Sequence, residues 1–165
     1  MRRGARGAWG PLLALLLTAA CSAAQDPAPS VYPTAEVTIG IHRIRVDVAD
    51  TPERMSRGLS GRSQLAEGRG MVFPYARPER HGFWMYDMHF DIDIVWIRGD
   101  RIVDVTPRAR HDPPGKLPIL RPEEPADLVL EVPAGTAERL GWKIGDRVGV
   151  DPPVRPPRRA GSGSG

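Results

Sequence analysis

The chain has a single cysteine in 165 residues, Cys21. That excludes an intramolecular disulfide and any cysteine-only metal site. Lysine is nearly absent: Lys116 and Lys143 are the only two. Aromatic residues make up 6% of the chain. No apolar run reaches the roughly 20 residues that a membrane-spanning helix needs. There is no Gly-x-Ser-x-Gly elbow, no phosphate-binding glycine loop and no cysteine nucleophile within the domain. Nucleophilic catalysis of the familiar kinds is therefore disfavoured. The positive charge is local. Arg2, Arg3 and Arg6 account for the formal net charge of +3, and 20 basic residues then face 20 acidic ones. This balance argues against a nucleic-acid binder.

Turn-forming residues are abundant, with 18 prolines and 18 glycines, and they disfavour long helices. Residues 1–20 read as a secretory signal peptide. A positive stretch precedes the apolar run from Pro11 to Leu17, and Thr18-Ala19-Ala20-Cys21 supplies small residues before a cysteine. That arrangement resembles a bacterial lipobox, so Cys21 is expected to be acylated. More than one acyl chain would give stable membrane anchoring. Ser22 after the cysteine resembles an outer-membrane address. Residues 21–35 then form a lipidated cysteine and a flexible, Pro-rich tether. Residues 151–165, rich in Pro, Arg and Gly, are expected to be disordered.

The domain lies between, over residues 36–150. Glu36–Ile39 and Ile44–Val48 alternate apolar and polar residues around Gly40, which predicts a hairpin with one buried face. Thr51-Pro52-Glu53-Arg54 is a helix start. Gly70–Phe73 reads as a short strand stopped by Pro74, and Phe83–Ile97 as the strongest strand. Ile102–Val105 pairs back across Arg98-Gly99-Asp100, and a loop with six prolines covers Pro107–Pro125. Leu128–Val132 is a strand, Ala134–Leu140 a short helix closed by Gly141, and Arg147–Val150 a last strand. The fold expected is mainly β: a small antiparallel barrel or sandwich with two short helices.

Asp50-Thr-Pro-Glu-Arg54, Arg57-Gly58-Leu59-Ser-Gly61-Arg62, Gly70-Met71-Val-Phe73, Phe83-Trp84-Met85 and Asp93-Ile-Val95 appear in order along the domain. Gly99-Asp-Arg101-Ile-Val103, Leu130-Glu-Val-Pro-Ala134-Gly135 and Gly145-Asp146-Arg-Val148 follow. Together they resemble the domain-of-unknown-function 192 family over about residues 36–150. Asp87 and Asp91 stand where that family usually has Asn and Pro. The resemblance implies a compact, mainly β, often exported domain and no established reaction.

Taken as one strand, Trp84–Ile97 places Trp84, Tyr86, Met88, Phe90, Ile92, Ile94 and Trp96 on a core face. Met85, Asp87, His89, Asp91, Asp93, Val95 and Ile97 fall on the other. Side chains at spacings of two can lean together, so Asp87, His89 and Asp91 are the metal candidates. The bland alternative is a solvated polar face. Asp93, flanked by apolar residues, needs a partner, and Arg57 or Arg62 is expected to supply it. An arginine left free would grip an anionic ligand.

Three functions remain. An envelope binding or accessory module, with Arg57, Arg62, Trp84, Met85 and Asp93 near its ligand, is favoured. A metal-assisted hydrolase using Asp87, His89 and Asp91 is the enzymatic alternative, and a purely structural interaction domain is the third. No catalytic residue and no cofactor is predicted, a divalent metal at the Asp87 face aside. The expected partners are the membrane through the lipid anchor and an envelope protein or cell-wall component. The expected location is the periplasmic side of the outer membrane, or secretion if Cys21 is not acylated.

Overall fold

Alternating burial shapes the first hairpin. Ala35, Val37 and Ile39 of β1 (Thr34–Ile39) and Ile44, Val46 and Val48 of β2 (His42–Val48) are buried. The two strands pair antiparallel from Ile39↔His42 to Thr34↔Asp47. These coordinates are a computed structural model, which describes residues 32–157 apart from Pro114 and Leu117. The signal segment, Cys21, most of the tether and the tail from Arg158 lie outside the described residues.

Helix α1 (Pro52–Arg57) begins where the sequence signals it. Thr51 Oγ1 accepts from Arg54 N at 3.3 Å, and Gly58, at φ 53°, ends the helix. The chain then runs into β3 (Arg69–Glu79), which pairs parallel with β2. A parallel pair needs a crossover connection, and α1 with its following loop supplies it. Pro74 does not stop β3 as the sequence suggested. It sits opposite Leu128, and the register shifts between Pro74 and Glu79, so an irregularity absorbs the missing N–H.

The long strand expected over Phe83–Ile97 is shorter. Only β4 (Ile92–Arg98) is a strand; Phe83 forms a single bridge to Leu120. Asp87 has φ 54°, a left-handed conformation outside regular strand geometry. The alternation of faces therefore fails before Ile92: Met85 is buried, while Trp84 is 60% and Tyr86 67% exposed. From β4 the chain turns through Gly99-Asp100 into β5 (Arg101–Ala109), as expected. Strand β5 runs past Pro107, so the proline-rich loop is shorter than predicted. Strand β6 (Ala126–Pro133), helix α2 (Thr136–Arg139) and β7 (Val148–Asp151) complete the domain. Val154 beyond β7 still packs on the core.

The strand order is β5-β4-β6-β3-β2-β1-β7. The sheet is antiparallel except at β2–β3, and it curls into a seven-stranded half-barrel. Its two edges meet: Ile102 N donates to Asp146 O at 3.0 Å, and Val148 N to Asp100 O at 2.8 Å. Among the described residues no helix is long and apolar enough to cross a membrane.

Apolar side chains cover both faces. Val37, Ile39, Val46, Val95, Ile97 and Leu130 belong to one cluster. Leu59, Met71, Phe73, Met85, Ile94 and Trp96 belong to a second, on the other face of β3, β4 and β6. Strand β4 feeds both, which is why it reads as a continuous apolar run. Phe83 anchors the second layer, edge-on to Phe73 at 5.0 Å and to Trp96 at 5.4 Å.

Candidate functional site

The structure separates the residues singled out in the sequence. Asp93 is fully buried, but neither Arg57 nor Arg62 reaches it. Its carboxylate accepts three backbone N–H bonds: from Arg108 at 2.8 Å, Gly135 at 2.9 Å and Ala137 at 2.9 Å. The alternation within β4 explains this. Asp93 shares a face with Val95 and Ile97, opposite to the face carrying α1, and there the turn into α2 presents free backbone donors. Arg62 instead pairs with Asp47 at 2.8 Å. Met85, 2% exposed, is a core side chain. Asp93, Arg62 and Met85 thus serve the scaffold, and only Arg57 and Trp84 face an opening.

The predicted metal face is divided in two. Asp87 and His89 are exposed, with Oδ1 and Nε2 3.7 Å apart. Asp91 turns away to His111, whose Nδ1 lies 2.7 Å and whose backbone N lies 2.9 Å from Asp91 Oδ1. Burial disfavours the Asp91 charge. The His111 hydrogen bonds, with the charges of His111 and Arg110, outweigh that and hold its pKa below the ordinary value. The ligand atoms of Asp91, His111 and Asp112 lie within 4.8 Å of one another. Any cation on Asp91 would therefore draw on the loop after β5, not on Asp87 and His89.

The cleft lies elsewhere, on the outer face of β3 and β6, with a volume of about 100 Å³. Phe73 and Tyr75 come from β3, Met55 and Arg57 from α1, and Phe83 and Trp84 from the segment before β4. Two bonds tie the walls together. Ser60 Oγ donates to Tyr86 O at 2.8 Å, and Gly61 N to Asp87 O at 2.8 Å. Gly58 sits against Phe73; a Cβ there would lie 3.4 Å from the ring.

Glu131 also lines the cleft. On β6 it stands opposite Met71 of β3 and Ile94 of β4, two core residues. It is 6% exposed, and its Oε2 has no hydrogen-bond partner among the described residues. Burial pushes the carboxyl up to about 8, and the nearby charge of Arg62 only partly opposes this. At neutral pH the group is therefore mostly a neutral acid, able both to donate and to accept. The Tyr75 hydroxyl is raised as well, by burial and then by the Glu131 charge. Arg57 is exposed at the rim, and no described residue pairs with its guanidinium.

A buried polar atom without a partner costs about 1–3 kcal/mol. An orphan at the wall of a cleft, rather than in a sealed core, can be met by water or by a ligand entering the cleft. Sequence reasoning passed over Glu131. The signal was there: one acid in the apolar run Leu128-Val-Leu-Glu-Val132, in a strand too apolar to have a solvated face.

A curled, mainly β domain with an acid-lined cleft on its outer face is the class of protein that these features define. The chain belongs to the domain-of-unknown-function 192 family (DUF192, Uncharacterized ACR), whose model matches residues 35–150. Two solved structures resemble it. A proposed transcription regulator from Sinorhizobium meliloti 1021 is 27% identical, with TM-score 0.67, covering 74% of this chain and 98% of its own. A protein of unknown function from Novosphingobium aromaticivorans DSM 12444 is 32% identical, with TM-score 0.63, covering 74% and 92%. No curated protein matches.

Proposed function

We propose that this protein is an envelope-anchored lipoprotein whose domain binds a small ligand in the cleft lined by Glu131. The observation that carries the binding reading is the unpartnered, buried Oε2 of Glu131 beside an open, aromatic-walled cavity. The signal-like leader and Cys21 support the anchoring. The cleft offers one carboxyl and no histidine among its lining residues, hardware for recognition more than for acid–base chemistry. The hydrolase alternative needs Asp87, His89 and Asp91 together, but Asp91 is engaged by His111 while Asp87 and His89 pair with each other. A purely structural role gives no reason for an unsatisfied carboxyl in an otherwise apolar layer.

The test is ligand-observed NMR with the full chain. The probes are small soluble sugars, carboxylates, organic cations and aromatic amides. The reading expects at least one probe whose signal is lost in Trp84→Ala and in Glu131→Leu while both variants keep the wild-type amide spectrum. If no probe distinguishes wild type from both variants, the cleft is not a binding site.

A further inference from the structure

Of the five large apolar side chains exposed among the described residues, two border the cleft or its walls. Trp84, 60% exposed, lines it directly. Ile119, 56% exposed, packs beside Gly82, itself a lining residue. Apolar side chains thus border a cleft whose buried acid, Glu131, has the exposed Arg57 at the rim. Each of the polar groups can bond a hydroxyl. The Glu131 acid both donates and accepts, the Ser60 oxygen keeps acceptor capacity, and Arg57 offers unpaired guanidinium donors.

We propose that the cleft takes a hexopyranose ring, stacked by its C–H face on Trp84 and held by hydroxyls on Glu131 and Arg57. This rests on the reading of the cleft as a binding site. A pyranose presents an apolar face of C–H groups, with partial positive charge toward the electron-rich face of an indole, and a rim of hydroxyls. That division matches the apolar side chains and the polar groups of the cleft. Size agrees as well. An engineered cavity of about 150 Å³ holds benzene, so about 100 Å³ open on one side takes the edge of one six-membered ring. The remainder of the ring then lies over Trp84.

The two rival ligand classes fit less well. An organic cation would gain from the aromatic rings. It would also face the Arg57 guanidinium, feel the Arg62 charge that reaches Glu131, and leave the Arg57 donors unused. A small anion would pair with Arg57 but would exchange water for the apolar walls of Phe73, Phe83 and Met55.

The experiment is a titration of the full chain, followed by saturation-transfer NMR and amide shifts. The probes are methyl glucosides, methyl galactosides and N-acetylglucosamine, with acetate and tetramethylammonium as rivals. The series runs from about pH 6 to about pH 10, across the Glu131 titration. The expected result is transfer to ring C–H protons and sugar affinity that changes less than about threefold over the series, since a carboxyl in either state can bond a hydroxyl. Trp84→Ala and Glu131→Leu should each weaken sugar binding by about tenfold or more. Acetate binding that falls with pH, or tetramethylammonium binding that rises with pH, with no sugar bound, overturns the sugar class and leaves the binding site standing. If none of these probes binds but another fragment does, the sugar class falls alone. If nothing binds, both readings fall.

Discussion

Arg62 Nη1 lies 2.8 Å from Asp47 Oδ2 and so fastens the loop after α1 to β2. Asp47 is 3% exposed, and Arg69 approaches its other oxygen at 3.4 Å. One buried carboxylate thus serves two guanidiniums. The Tyr32 ring centroid lies 5.3 Å from the Arg62 guanidinium carbon, adding a cation–π contact. Removing Arg62 leaves the buried charge with its longer partner alone. Arg62→Ala should destabilise the domain by about 2–4 kcal/mol in denaturant unfolding, more than Arg69→Ala. A loss below about 1 kcal/mol would place the pair with ordinary surface ion pairs.

Asp93 is the second structural carboxylate. Its three backbone bonds join β4 to the end of β5 and to the turn into α2. Asp93→Asn keeps one acceptor oxygen and puts amide hydrogens where donors already point. The expected cost is about 2–3 kcal/mol, read from the shift of the unfolding midpoint. Amide exchange should speed up at Arg108, Gly135 and Ala137. Unchanged exchange at those three sites would contradict the assignment.

Glu131 makes stability depend on pH. Its folded pKa is raised to about 8 from an ordinary value of 4.5. The folded state then holds a proton that the unfolded state releases between those values, so this contribution to stability is full below about 4.5 and is lost as pH rises through about 8. Melting temperatures from pH 5 to pH 9 should fall more steeply for wild type than for Glu131→Gln. Parallel curves would show that the carboxyl titrates normally.

Gly70 of β3 lies tight against the backbone of β6. A Cβ on Gly70 would lie 2.7 Å from the Glu131 carbonyl oxygen, with Leu130 and Val132 side chains at 3.2 and 3.3 Å. Backbone cannot yield as a flexible side chain does. Gly70→Ala should cost about 1–3 kcal/mol and perturb the amide shifts of β6 around Glu131. A variant as stable as wild type would mean that the strands part without penalty.

Cys21 is the proposed anchor. Export in a Gram-negative host should yield a membrane-bound protein whose intact mass carries acyl chains. Cys21→Ser should yield a soluble periplasmic form of unacylated mass. Membrane association that survives the substitution would refute the lipid anchor.

The proportions of the fold were legible because local patterns carried them. Alternation around Gly40 placed β1 and β2, Thr51-Pro52 placed α1, and Gly99-Asp100 placed the β4–β5 turn. The site was not legible in the same way. The run from Trp84 to Asp91 fits a strand template, yet no neighbouring strand pairs with it beyond the Phe83–Leu120 bridge, and Asp87 turns the chain. The error put Trp84, Met85 and Tyr86 on the wrong faces, and of the apparent Asp87–His89–Asp91 row only Asp87 and His89 stay together, while Asp91 bonds His111.

The sequence by itself determined the mainly β character and the two short helices, because strand and cap signals act over a few neighbouring residues. Only the tertiary structure decided the partners. Asp93 went to backbone donors and Arg62 to Asp47, because the face a side chain occupies depends on which strands flank it. Glu131 became a cleft-lining acid because β3, α1 and the segment before β4 close around it, and the burial that raises its pKa is a property of that enclosure, not of the residue.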